Sequence, residues 1–474
     1  MHHRQYQWVR MVVLAGLMIA LAGFWPLRDS LGQPGERSAA KANRIEDVPV
    51  FRPDHDSGPM AIHALRSCLE AMGSSYTYAN LAGVSGSAFK FVYDTTEAYE
   101  PLRDLFPVDV LQTAAEQMGF ADAHWSKDRS RDYVMDVIKR EIDAGRPLIA
   151  PDLRAGKYSG MCVIVGYDLE ANHVLIQGAF SRAGYDSVPL GDAWDGPTAS
   201  PDGWAGNPVF ILGRTRIGSG DARAGRSRPA VTAAIEIMKG GDLEYGEHPG
   251  EALYLGEAGR HKAAYGLKAF DLLSHDMAER PLVTMRDGEP HLDLGFLWRI
   301  DSQVGQLQHD RSHAYSYLRQ LRSSVQPQHY LLLEELYDGV RATSEDARSL
   351  RQIFWQTVPA DVTTAEGALA YARQNPCIVI DVTPRAGVAD ELRSMGEAVF
   401  ETPWGSVLVD DTPEKRMGAR LLARALTSRE RNSIRMLEEL LPYVDTRVEQ
   451  ERPEGKERPR RNQPNQTGEE SQTE

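Results

Sequence analysis

Two short runs, far apart in the chain, most constrain what it can fold into. The first is Asp54-His55-Asp56-Ser57-Gly58-Pro59, followed by Met60, Ala61, Ala64, Leu65, Cys68, Leu69 and Met72 on one helical face, and then Gly73. That spacing is the stripe of a helix with one buried side. Gly73 suits its C-terminal end, and Asp56 or Ser57 ahead of Pro59 suits its start. The second run is Met161-Cys162-Val163-Ile164-Val165, leading into Gly166-Tyr167-Asp168, and it reads as a hydrophobic strand. An amphipathic helix followed much later by such a strand predicts a helix laid on a sheet.

The stretches between and after these runs agree. Residues 108–118 and 133–144 read as helices, and 147–150, 174–176 and 209–212 as strands, with Asn172-His173 as a turn. Helices first and a strand meander second is α+β order. A Gly/Arg/Ser-rich linker is expected at 217–230 and a helical region at 231–355, clearest at 263–277, 303–321 and 329–341. Residues 356–448 read as a small α/β element with a terminal helix. Its strands at 398–401 and 406–409 flank Pro403-Trp404-Gly405. The tail at 449–474 is charged, Pro/Gln-rich and poor in large apolar residues, so it is expected to be disordered.

At the other end, Arg4 and Arg10 precede an apolar run at 11–26. As a helix it spans about 24 Å, against roughly 30 Å of hydrocarbon. Residues 1–27 are therefore expected to be a membrane anchor, or a signal peptide cleaved near Ala20-Leu21-Ala22. A linker would follow at 28–49, and the body would lie outside the cytoplasm. A net charge of −14 disfavours a nucleic-acid partner. Three cysteines, all in apolar patterns, cannot form a disulfide framework. No cofactor is expected.

Residues 50–216 resemble the N-terminal domain of the butirosin biosynthesis protein H family, itself similar to double-glycine leader peptidases and other papain-like enzymes. The resemblance is carried by Asp54-His55-Asp56-Ser57-Gly58-Pro59, Leu69-Glu70-Ala71-Met72-Gly73, Gly83-Val84-Ser85-Gly86-Ser87-Ala88-Phe89, Gly145-Arg146-Pro147-Leu148-Ile149 and Val163-Ile164-Val165-Gly166-Tyr167-Asp168. It implies an α+β fold: a papain-like domain with a helix packed on an antiparallel sheet, then a mainly helical region with a small α/β element. It also implies a thiolate at the helix N-terminus, favoured by the helix dipole, a His at the start of the buried strand, and an orienting Asn or Asp after the next strand. Here the nucleophile position falls on Ser57 by the Ser-Gly-Pro match, or on Met60 by counting back from Gly73. The base position falls on Gly160 or Met161, and the orienting position on Gln177 or Gly178. The implied chemistry has lost its reactive groups.

Other candidates weigh less. Ser57 could act as a serine nucleophile with His55 or His63 as base, or simply cap the helix with Asp56. Cys68 and Cys162 read as core thiols. His309 and His313, one turn apart, have zinc-ligand spacing, with His261, His275 or His329 as third ligand. They lack the Glu of the zinc-peptidase motif, and a solvated helix face is the simpler reading. Trp194 and Trp204, beside Asp192, Asp195 and Asp202, could build a sugar or cation site or pin a loop. Three functions follow: a non-catalytic papain-like protein that binds a peptide or small molecule; an acyl- or amide-transferring enzyme using Ser57; or a structural scaffold.

Overall fold

A computed structural model of the chain describes residues 41–50, 59–94, 109–126, 130–151, 153, 161–178, 181, 184–190, 208–213, 227–245, 261–385 and 387–445. The chain is a mixed α/β protein with largely antiparallel sheets. Strand β1 (Ala42–Arg44) is followed by helices α1 (Met60–Ala71) and α2 (Tyr78–Val84), strand β2 (Val92–Asp94) and helix α3 (Val110–Gln117). Strand β3 (His124–Trp125), helix α4 (Arg131–Asp143) and strands β4 (Leu148–Pro151), β5 (Met161–Asp168), β6 (His173–Gly178), β7 (Asp186–Pro189) and β8 (Phe210–Ile211) come next. The sheet runs β3-β8-β4-β5-β6-β7, with β1 added against β5.

The alternation along β5 builds two layers on this sheet. Met161, Val163 and Val165 share a core with Met60, Ala61, Ala64, Leu65, Cys68 and Leu69 of α1. Cys162 and Ile164 point the other way and share a core with Val134, Val137, Ile138 and Ile142 of α4. Side chains of period two on the strand and a 3.6-residue stripe on each helix produce this arrangement. Each large apolar side chain so buried contributes about 1.5–3 kcal/mol. Gly166 lets β1 approach, since a Cβ there would lie 2.6 Å from the Asn43 carbonyl oxygen.

The second half starts with α5 (Ser227–Lys239), strands β9 (Gly241–Tyr245) and β10 (His261–Tyr265), and helix α6 (Leu267–Glu279). The hairpin β11 (Val283–Arg286) and β12 (Glu289–Leu292) leads to the long helices α7 (Leu294–Leu321) and α8 (Tyr330–Phe354). Strand β13 (Gln356–Thr357), helix α9 (Ala365–Gln374), strand β14 (Val379–Asp381), helix α10 (Val388–Ser394), strands β15 (Val399–Thr402) and β16 (Gly405–Val409) and helix α11 (Pro413–Leu440) follow. α7 packs on α8, α8 on α11 and α11 on α6. The small sheet runs β13-β14-β16-β15, with β13 parallel to β14 and the other pairs antiparallel.

Three expectations change. The helix expected at 263–277 starts only at Leu267, because Ala263, Ala264 and Tyr265 belong to β10. β10 pairs with β9 on one side and with β2 on the other, so strand pairing crosses the boundary expected at 216. The membrane anchoring expected from the N-terminal run is also corrected. Among the described residues no helix is long and apolar enough to cross a membrane, and residues 11–26 lie outside the described residues. The expectations of a signal anchor, a membrane partner and a membrane-anchored body go with it.

Candidate functional site

The candidate site lies where α1 packs on β5. Pro59 holds the N-cap position in an extended conformation, with no side-chain cap, and Met60 is the first helical residue. The cap expected from Asp56 or Ser57 is therefore displaced to Pro59, and both of those residues lie outside the described residues. Met60 and Met161 are each 1% exposed and belong to one apolar core. Gln177 of β6 stands directly opposite Val163 in the antiparallel ladder, so its side chain shares the face of the sheet that α1 covers. Gln177 Nε2 donates to the Val48 carbonyl at 3.0 Å, and its buried Oε1 has no hydrogen-bond partner among the described residues.

Three of the positions singled out in the sequence thus occupy one side of one sheet. None can attack a carbonyl or move a proton: two are thioethers and one is an amide. Gly160, Trp194 and Trp204 lie outside the described residues, as does His55. The ring of His63, the other base considered for Ser57, lies 4.4 Å from that of Tyr78, and Ser57 lies outside the described residues.

The three thiols form no disulfide with one another and are buried. Burial pushes the Cys68 thiol far up from its ordinary value. Cys162 faces the α4 side, its Sγ donating to the Pro151 carbonyl at 3.4 Å. Cys377 is pushed up to about 12 by burial. Thiols held protonated in this way are poor nucleophiles.

The stretch from His309 to His313 is not the solvated face expected. Asp310 and Arg311 are buried at 1% and 0% exposure. Arg311 forms an ion pair with the equally buried Glu430 of α11, and its Nη1 donates to the carbonyls of Ala88 at 3.0 Å and Lys90 at 3.1 Å. Gln306 Nε2 donates to Asp310 Oδ1 at 2.8 Å, while Asp310 Oδ2 has no hydrogen-bond partner among the described residues. Burial pushes the Asp310 carboxyl up to about 7, against the opposing pull of Lys90.

Tyr78 packs between His63 and His313, with ring centroids 4.4 Å and 4.6 Å away. Burial first, then His309 and His63, lower His313 to about 4. The imidazole that joins this pair is His63, which the spacing of the sequence does not suggest. His329 stacks on Tyr443 at 3.5 Å, and among the described residues no group of three or more such side chains could hold a metal ion. Helix-to-helix contacts across the two halves create these clusters, and no local spacing signals them.

No protein-family model matches this chain, and no curated protein matches it.

Proposed function

We propose that the chain is a binding protein built on a catalytically inert papain-like domain, which holds a peptide or small molecule where the family resemblance implies a catalytic cleft. The observation that carries this reading is the buried Met60 at the helix N-terminus, set in one core with Met161 at the start of the central strand. A papain-type nucleophile needs a thiol there and an imidazole facing it. A buried thioether at each place supports retention of the frame without the chemistry. The unpaired Gln177 Oε1 supports a binding role, because a buried acceptor without a donor is costly and a ligand N–H would satisfy it.

The test follows from the resemblance to leader peptidases. A synthetic peptide ending in Gly-Gly is titrated into the full chain by calorimetry, and mass spectrometry follows its integrity. Saturable binding of an intact peptide supports the reading. Cleavage that is lost in Ser57→Ala would replace it with the serine-enzyme reading, and absence of binding would remove the peptide-binding role.

A further inference from the structure

The helical half carries three tryptophans that the papain-like reading leaves unused. Trp298 lies in the second turn of α7, Trp355 directly follows α8, and Trp404 sits at the tip of the β15–β16 hairpin. Trp298 and Trp404 stack with centroids 5.3 Å apart and planes within 1° of each other. Trp355 meets Trp404 at 5.9 Å and 87°. The hairpin tip is fixed by Thr402, whose Oγ1 donates to the Gly405 carbonyl at 2.8 Å and accepts from the Trp404 amide at 3.2 Å. Trp404 is nevertheless 43% exposed, and Trp298 and Trp355 are half-buried.

A charged pair joins the same two helices. Asp301 is one helical turn after Trp298 on α7, and Arg351 stands in the last turn of α8, four residues before Trp355. Arg351 Nε donates to Asp301 Oδ1 at 2.6 Å and its Nη2 donates to Oδ2 at 3.3 Å. Both side chains remain about one-third exposed.

We propose that this cluster is a carbohydrate-binding site for a neutral, β-linked pyranose chain with equatorial hydroxyls. Such a sugar has a flat face of axial C–H groups and a rim of hydroxyls that both donate and accept. A rigid, half-exposed tryptophan on a coplanar support matches the flat face. Asp301 and Arg351 together offer acceptors and donors to the rim. A cationic ligand fits less well, because Arg351 already neutralises the carboxylate, and stacking Trp404 on Trp298 covers one of the π faces a cation would use. A plain structural clamp leaves the exposure of Trp404 unexplained, since one purpose of such a clamp is to remove its apolar surface from water. This site is independent of the papain-like reading.

The probe is cellohexaose, titrated into the full-length chain by tryptophan fluorescence and calorimetry, with choline chloride as the cationic comparison. Saturable binding of cellohexaose is expected, weakened about tenfold or more in Trp404→Ala and several-fold in Asp301→Asn. The exposed ion pair contributes little to stability, so Asp301→Asn keeps the test usable if Trp404→Ala misfolds. The proposal fails if cellohexaose gives no saturable response, if choline binds instead, or if the folded variants bind as the parent does.

Discussion

The buried pair Arg311–Glu430 gives the sharpest stability test. Both side chains are fully buried. Arg311 joins α7 to α11 through Glu430, and joins both to the segment before β2 through the carbonyls of Ala88 and Lys90. Glu430→Gln is nearly isosteric, so it opens no cavity and leaves the guanidinium charge buried without its counter-charge. Removing one partner of such a pair costs about 3–5 kcal/mol. Replacing both with apolar residues, Arg311→Met with Glu430→Leu, removes the buried charges. It leaves two carbonyls without their donor, and each costs about 1–3 kcal/mol if it finds no other. The two carbonyls together cost about as much as the lost counter-charge, so the double variant should lie within roughly 2 kcal/mol of Glu430→Gln. Guanidinium denaturation followed by helical circular dichroism reads the difference as a shift of midpoint at constant slope. A loss below about 1 kcal/mol for Glu430→Gln would refute the reasoning.

Three further outcomes follow from the same structure. The folded-state value for Asp310, about 7, lies above the unfolded value of about 3.9. The parent should lose stability as pH rises from about 4 to about 7, by roughly 4 kcal/mol at most, and Asp310→Asn should flatten that stretch of a denaturation series against pH. A Cβ on Gly83 would lie 1.9 Å from the Tyr317 ring, so Gly83→Ala should cost about 1–3 kcal/mol, read by the same denaturation, and Tyr317→Leu should relieve part of it. Native protein should resist a thiol reagent at all three cysteines, and all three should react in guanidinium.

The helix-on-sheet frame was legible because its residues carry their own periodicity. The stripe from Met60 to Leu69 and the alternation along β5 fix which faces meet. Strand β10 was misread as helix because Ala263 and Ala264 suit a helix, and only pairing with β2 and β9 holds them extended. Asp310 and Arg311 were read as solvated because charge normally marks a surface. Their partners stand at Ala88, Lys90 and Glu430, where no spacing points to them. The candidate positions were legible only as alternatives, Ser57 or Met60, Gly160 or Met161, and Gln177 or Gly178, because counting from a glycine fixes a position only to within a residue or two; the structure sets Met60, Met161 and Gln177 on one side of the sheet. The tryptophan cluster was not, because Trp298, Trp355 and Trp404 come from three elements joined only in the folded chain.

The central claim, a papain-like frame without its chemistry, is tested most directly by activity-based labelling. The native full-length chain is treated with a fluorophosphonate and, in parallel, with iodoacetamide, with Ser57→Ala as control. The account predicts no site-specific adduct from either reagent, because the three thiols are buried, Cys68 and Cys377 are held protonated, and a thioether stands at the helix start. A stoichiometric fluorophosphonate adduct that disappears in Ser57→Ala would contradict it.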